Sequence, residues 1–376
     1  MAKPLDKVGR AFHLLVKDQA IDNGRREGPI GGNRMRAGLI AISIVSAVHC
    51  AQAQPSTDFY RSKTVNMVVG SDAGSGYDAY ARLVARHIGK HIPGNPSIVV
   101  QNHPGAGSIT MTNQLANVGS RDGATIGAPQ SSVAFERLLH LLGPGGKAAA
   151  FDATKLNWLG TAAQDTFVVL GWHKSKVRTY NDMLTKEFVI GTSGPNTDGS
   201  LIVAVLNKLL GAKIKLINGY SGTAPQLLAL ERGEIDGASM AYSTLLTLRP
   251  NLHRDKEISV LLQIGRTKHP DLAEVAFLPD IMHSDEDRAI ISVIFDKYQM
   301  GRPFFVPPGV PIERVEILRA AFDAVMKDSA LIAEAAQLKL ELSPLSGREV
   351  QALIERLYAT PEPMVRQARQ LLGTEK

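Results

Sequence analysis

The sequence predicts an α/β protein with parallel sheet, divided into two hydrophobic cores, and three observations lead there. From Val65 onward, short β-branched runs alternate with amphipathic stretches and glycine-rich connections. The 376 residues, 44% apolar and 21% charged, have ordinary globular composition and exceed what one core organises. Yet no internal repeat and no Pro/Ser-rich linker divides them. A chain that crosses between two lobes more than once on ordinary strands satisfies all three.

At the N-terminus, Met35-Arg36 precedes the apolar run from Ala37 to Val48, and Ala51-Gln52-Ala53 follows, which is the layout of a secretory signal peptide. The run is too short for a hydrocarbon core of ~30 Å at ~1.5 Å per residue. Residues 1–53 are therefore expected to be an N-terminal extension and signal, with export to the periplasm. Translation starting at Met1 and at Met35 both remain open. Cleavage after Ala53 would remove Cys50, the only cysteine, leaving no thiol for a nucleophile, a metal site or a disulfide. Bulky His49 beside it disfavours a lipoprotein signal. The removed segment holds 8 Lys and Arg against 4 Asp and Glu, so the net charge falls from +6 to +2. No basic cluster remains, and nucleic acid is excluded as a partner.

Strands are expected at 65–69, 97–101, 124–128, 156–160, 167–171, 189–192, 214–217, 237–240, 260–264 and 303–306, nearly all followed by a helix. The helix after Pro195 is the best marked. Thr197 or Asp198 caps it, Leu201, Ile202, Val205, Leu206, Leu209 and Leu210 share a face, and Gly211 ends it. From Ile312 to Leu372 the pattern is helical, with interruptions at Pro344, Pro361 and Pro363.

Three glycine-rich turns sit between strand and helix: Gly70 to Asp78, Gly191 to Ser200, and Gly219 to Pro225. Backbone N–H groups at a helix start hold an anion without a basic side chain, and none of these turns carries Lys or Arg. Together they read as a cradle for polar ligand groups built from backbone and hydroxyls. Asp78 serves either as a ligand contact or as a first-turn carboxylate for the helix dipole, paired with Arg82.

Rival chemistries are weaker. The stretch from Gly74 to Ala79 matches G-x-G-x-x-A, which leaves a nicotinamide-dependent oxidoreductase as the alternative, but the second strand ends Gln101-Asn102 where that fingerprint needs an acid. Thr192-Ser193-Gly194 and Tyr220-Ser221-Gly222 each miss the nucleophile elbow by one glycine. His87 and His91 have metal-ligand spacing, but Ile88 stands where a zinc protease has glutamate. The expectation is no catalytic residue, no metal and no cofactor.

The chain resembles the Bug proteins, receptors of tripartite tricarboxylate transporters. The resemblance runs through Val68-Val69 with Ala73-Gly74, Asp78 and Ala81-Arg82, then Pro104 to Gly107, Asp122-Gly123, Thr192 to Gly194, Tyr220 to Gly222 with Ala224-Pro225, and Gly233 to Asp236. It implies a two-lobed type II periplasmic binding protein fold with a ligand cleft between the lobes. It also implies a small-molecule carboxylate ligand, membrane transporter subunits as partners, and a receptor that is no enzyme. Carried over by position, the ligand contacts are Ala73, Gly74, Ser75, Gly76 and Asp78 in the first lobe. Those of the second are Ser193, Gly194, Asn196, Thr197 and Ser200, beside Tyr220, Ser221 and Gly222. The lobes are expected at 59–164 with 266–376, and at 165–265, in a monomer. Where the family commonly has a Pro-Phe pair and a second glycine, this chain has Gly70, Ser71 and Ser75, and Asp72 adds a carboxylate. An extra negative charge near an anion site keeps an amphoteric ligand open beside a simple dicarboxylate.

Overall fold

The structure is a computed structural model that describes residues 58–142, 148–192, 194, 197–220 and 222–375. Every described residue belongs to one compact unit, Ala53–Lys376. The signal peptide, its cleavage site and Cys50 lie outside the described residues.

In chain order the elements are β1 (Thr64–Val69), α1 (Gly76–Ile88), β2 (Ser97–Asn102), α2 (Ile109–Val118), β3 (Thr125–Ala128), α3 (Glu136–Leu139), β4 (Asn157–Thr161), β5 (Phe167–Trp172), α4 (Tyr180–Thr185) and β6 (Phe188–Thr192). They continue with α5 (Asp198–Leu210), β7 (Ile214–Asn218), α6 (Thr223–Glu231), β8 (Gly237–Ala241), α7 (Tyr242–Leu248), α8 (Pro250–Arg254) and β9 (Ile258–Ile264). The last are α9 (Asp285–Phe295), β10 (Pro303–Val306), α10 (Ile312–Val325), α11 (Ser329–Gln337), β11 (Leu345–Ser346), α12 (Gly347–Tyr358) and α13 (Glu362–Leu372).

The strands make two sheets, ordered β11-β4-β10-β3-β1-β2 and β7-β6-β8-β5-β9. All ten expected strands form, and β11, only two residues long, is the one without a pattern to read. The expectation of parallel sheet holds for part of each. β1 runs parallel to β2 and β3, and β6 to β7 and β8, but β10 is antiparallel to β3 and β4, and β5 to β8 and β9. The reason is where the chain changes sheets. It leaves the first sheet after β4 through 162–166 and returns from the second after β9 through 265–302. Strands of βα units end at the gap between the sheets, whereas β5 and β10 start there and run away from it, so they must oppose their neighbours.

Burial explains the strand sequences. Val65, Met67 and Val69 enter one core cluster and Val68 another, so β1 is covered on both faces. A cluster containing Trp158 and Phe305 of the first sheet also holds Val169, Phe188 and Leu262 of the second, so the sheets share packing on one side. There α13 packs on α9, α5 and α3, and Arg369 Nε donates to the Leu138 carbonyl at 2.8 Å. The expected break at Pro363 does not occur, because that proline stands in the first turn of α13, where a missing N–H costs nothing.

His87 and His91 do not converge. His87 Nε2 lies 2.6 Å from Glu334 and His91 Nε2 lies 2.8 Å from Asp328, so each joins α1 or the turn after it to the segment around α11. Among the described residues no group of three His, Cys, Asp or Glu is placed to hold a metal ion.

Candidate functional site

A cavity of about 260 Å³ opens where the strand ends of the two sheets face each other. The second sheet's side contributes the first turns of three helices: Thr197, Asp198 and Gly199 at α5, Thr223 at α6, and Ala241 with Thr244 at α7. Opposite stand Tyr77 from the first turn of α1 and Ser131 after β3. The crossing segments supply Asp165, Tyr298 and Arg302. A second cavity of about 300 Å³ shares Tyr77, Ser131, Thr197 and Asp198, and adds Gln130, Ser132 and Lys297.

The first glycine-rich turn is tied from within. Ser75 caps α1, its hydroxyl accepting from the Asp78 N–H at 3.3 Å. The Asp78 carboxylate, 2% exposed, accepts from the Gly74 N–H at 2.8 Å, from Arg82 Nε at 2.9 Å and from Asn102 Nδ2 at 2.9 Å. Asn102 also donates to the Ser71 carbonyl at 2.9 Å. Burial alone would raise the Asp78 carboxyl, but the Arg82 guanidinium, the Gly74 N–H and the Asn102 amide together hold it below the usual carboxylate range. Asp78 therefore shapes the loop. Ala73, Gly74, Ser75, Gly76 and Asp78 do not line the cavity, and their neighbour Tyr77 does. A Cβ at Gly76 would lie 4.0 Å from Arg302 Nη2.

In the second turn Ser193 and Asn196 lie outside the described residues, as does Ser221 in the third. Thr197 is the N-cap of α5 and lines the cavity, though its hydroxyl donates to the Gly194 carbonyl at 2.8 Å instead of capping an N–H. Ser200 Oγ donates to the same carbonyl at 2.7 Å, and Thr192 Oγ1 lies 2.7 Å from Thr197 Oγ1. This hydroxyl knot fixes the direction in which α5 begins. Tyr220 packs its ring over Gly191, where a Cβ would meet it at 2.8 Å, and stays out of the cavity wall. Gly222, at φ 129°, makes the turn into α6.

Apart from Asp198, the charged residues of the cleft have no counterpart in the turns read from sequence. Arg302 Nη1 donates to Asp165 Oδ2 at 2.9 Å and to the Gly301 carbonyl at 2.6 Å. Its guanidinium lies over the rings of Tyr77 at 4.8 Å and Tyr80 at 5.1 Å. Lys297, 4% exposed, pairs with Asp198 Oδ1, which also accepts from the Tyr298 hydroxyl at 3.2 Å. Tyr298 stacks on Phe167 at 4.1 Å. Burial pushes the Tyr298 and Tyr77 phenols up, so both remain protonated donors at neutral pH. Burial likewise raises the Asp165 carboxyl, against the pull of Arg302. Asp165 and Arg302 are 137 residues apart and no local motif joins them. The described lining offers donors, aromatic walls and paired charges, with no histidine or cysteine to act as base or nucleophile.

Two sheets joined by two chain crossings around a polar cleft define the two-lobed periplasmic binding protein fold. Within that class the chain is related to the UPF0065, or Bug, proteins, as the resemblance in its sequence implied. It is 25% identical over 321 residues to a UPF0065 protein of Agrobacterium vitis from the TAR-I ttuE-ttuC' intergenic region, covering 81% of this chain and 83% of that one. Its fold matches a TctC solute binding protein from Polaromonas with a TM-score of 0.65 at 17% identity, covering 84% and 99% of the two chains. The periplasmic binding protein BugD matches at 0.56 and 19%, covering 84% and 100%. MatC of Rhodopseudomonas palustris, solved with bound malate, matches at 0.54 and 17%, covering 82% and 99%. No family model matches the chain.

Proposed function

We propose that this chain is a solute receptor of the periplasm, exported by its signal peptide, that captures a small carboxylate-bearing metabolite and delivers it to the membrane subunits of a tripartite tricarboxylate-type transporter. One observation carries the reading: the first turns of α5, α6 and α7 and the Tyr77 end of α1 converge on one cavity of about 260 Å³ at the gap between two sheets. Helix starts present unpaired N–H groups and partial positive charge, which suits a carboxylate and leaves it chemically unchanged. The bound malate of MatC supports the same ligand class. The lobes in this reading are 59–164 with 266–376, and 165–265, each carrying one sheet. They act as a monomer.

The oxidoreductase alternative loses its turn, because Asn102 is spent on Ser71 and Asp78 at the place where that chemistry needs a carboxylate for a ribose. A thermal-shift panel of organic acids and amino acids tests the receptor. A ligand at ~100 times its dissociation constant stabilises the fold by about 2.7 kcal/mol, a melting rise of a few degrees. No shift across the panel, or turnover with a nicotinamide cofactor, would count against it.

A further inference from the structure

We propose that a separate cavity, back to back with the cleft, binds a small apolar monocarboxylate of the size of benzoate and acts as an effector site. The cavity measures about 200 Å³ and lies where the chain returns from the second sheet to the first, between the end of β9 and α9. It shares no lining residue with either cleft cavity. Its apolar walls are Ile264, Leu278, Ile291 and Phe295, all buried. An apolar cavity of ~150 Å³ admits a benzene ring, so this one has room for a ring bearing a carboxylate.

The polar groups in the wall say which end of a ligand goes where. Arg266 and Arg288 stand exposed at the cavity, and Asp296 is its one carboxylate. Asp296 is already served, because the Ser292 hydroxyl and the Gln299 amide both donate to it. Arg288 is engaged as well, with Nη1 donating to Asp285 at 2.8 Å and Nη2 to the Met282 carbonyl at 3.1 Å. Outside the wall, the Arg356 charge acts on Asp296, and Glu349 accepts from the Ser346 N–H at 2.9 Å. Arg266 alone of the lining charges makes no hydrogen bond or ion pair among the described residues. A guanidinium in that position takes a carboxylate on two parallel N–H donors. A second carboxylate on the same ligand would lie among the apolar walls or against Asp296, and either place is unfavourable.

The coupling to the cleft follows from one turn with two faces. In Asp296–Met300, Asp296 and Gln299 line this cavity, while Lys297 and Tyr298 line those of the cleft. On the cleft side Lys297 pairs with Asp198, and Tyr298 stacks on Phe167 at 4.1 Å. A molecule packed behind the turn holds it in the arrangement that presents Lys297 and Tyr298, so the cost of ordering it is met once for both ligands. Linkage then makes each ligand strengthen the other.

The test is calorimetric titration of the purified chain with benzoate and with benzamide, its uncharged isostere. Benzoate is expected to bind at least tenfold tighter than benzamide, and Arg266→Gln should erase that preference. Ser292→Phe, which fills the cavity, should abolish benzoate binding. Circular dichroism checks its fold, and Arg266→Gln, at an exposed position, decides the matter if Ser292→Phe unfolds. Gly194→Asp, in the cleft, should leave benzoate affinity unchanged. Benzoate binding that is lost in Gly194→Asp but kept in the two cavity variants overturns the site, and so does equal affinity for the two compounds or no binding of benzoate. None of these results touches the receptor reading. The effector role rests on that reading, and for it the titration is repeated with the chain saturated by the tightest cleft ligand of the thermal-shift panel. Benzoate affinity should rise at least threefold, and an unchanged or lower affinity overturns the effector role. A panel without any cleft ligand removes the receptor reading and the effector role with it, while the benzoate site is judged by the first titrations.

Discussion

Gly194→Asp should weaken ligand binding by at least 100-fold and leave the fold intact. A Cβ at Gly194 meets nothing within 4 Å, so the side chain fits, and the carbonyl that anchors Thr197 and Ser200 is retained. The new carboxylate stands beside the α5 start, where the proposed function docks the ligand carboxylate. Two like charges ~5 Å apart at an effective dielectric of ~20 repel by about 3 kcal/mol, which is more than a hundredfold in affinity. Ala320→Asp, on an exposed position of α10, adds the same charge far from the cleft and should change affinity little. Calorimetry of the three proteins against one ligand measures the difference. Equal affinity in Gly194→Asp and the parent would remove this turn from the site.

Asp78→Ala should have the largest effect on stability, a loss of about 3 kcal/mol and several degrees of melting temperature. The substitution strands the Gly74 N–H, the Arg82 guanidinium and the Asn102 amide together. The pH dependence carries a sign that identifies the cause. The Asp78 carboxyl is held below its ordinary 3.8 in the folded state, so its contribution is present above that value and is lost as pH falls through the lower, folded-state one. Melting curves of parent and variant should therefore converge in acid. A gap that stays constant from neutral pH to about pH 3 would assign the effect to packing instead of charge.

Much of this architecture was legible because its signals are local. The β-branched runs of β1, β6 and β9, the apolar face of α5 and the αL glycine that ends it at Gly211 are each contained within a short window. The reversed direction of β5 and β10 was not legible, since it follows from where the chain changes sheets and not from the composition of either strand. The site divides the same way. Thr197 was found through its turn, and Tyr77 was passed over inside the very loop that was singled out, because glycines and serines suggested the contacts while the aromatic ring supplies the wall. Asp165, Lys297 and Arg302 were missed because their pairings are made across the fold, Arg302 with Asp165 and Lys297 with an Asp198 noticed only as a helix cap. The carboxylate that suggested an amphoteric ligand was Asp72, which is exposed and outside the cavity wall, whereas the carboxylates in the cleft are Asp165 and Asp198.

The central claim is that a small carboxylate-bearing solute is held, unchanged, between the two sheets. A crystal structure of the chain with the best ligand from the thermal-shift panel tests it most directly. The account predicts intact ligand enclosed between Tyr77 and the first turns of α5 and α6, with its carboxylate at Thr197 and Thr223. Ligand bound outside this cleft, or converted to a product within it, would contradict it.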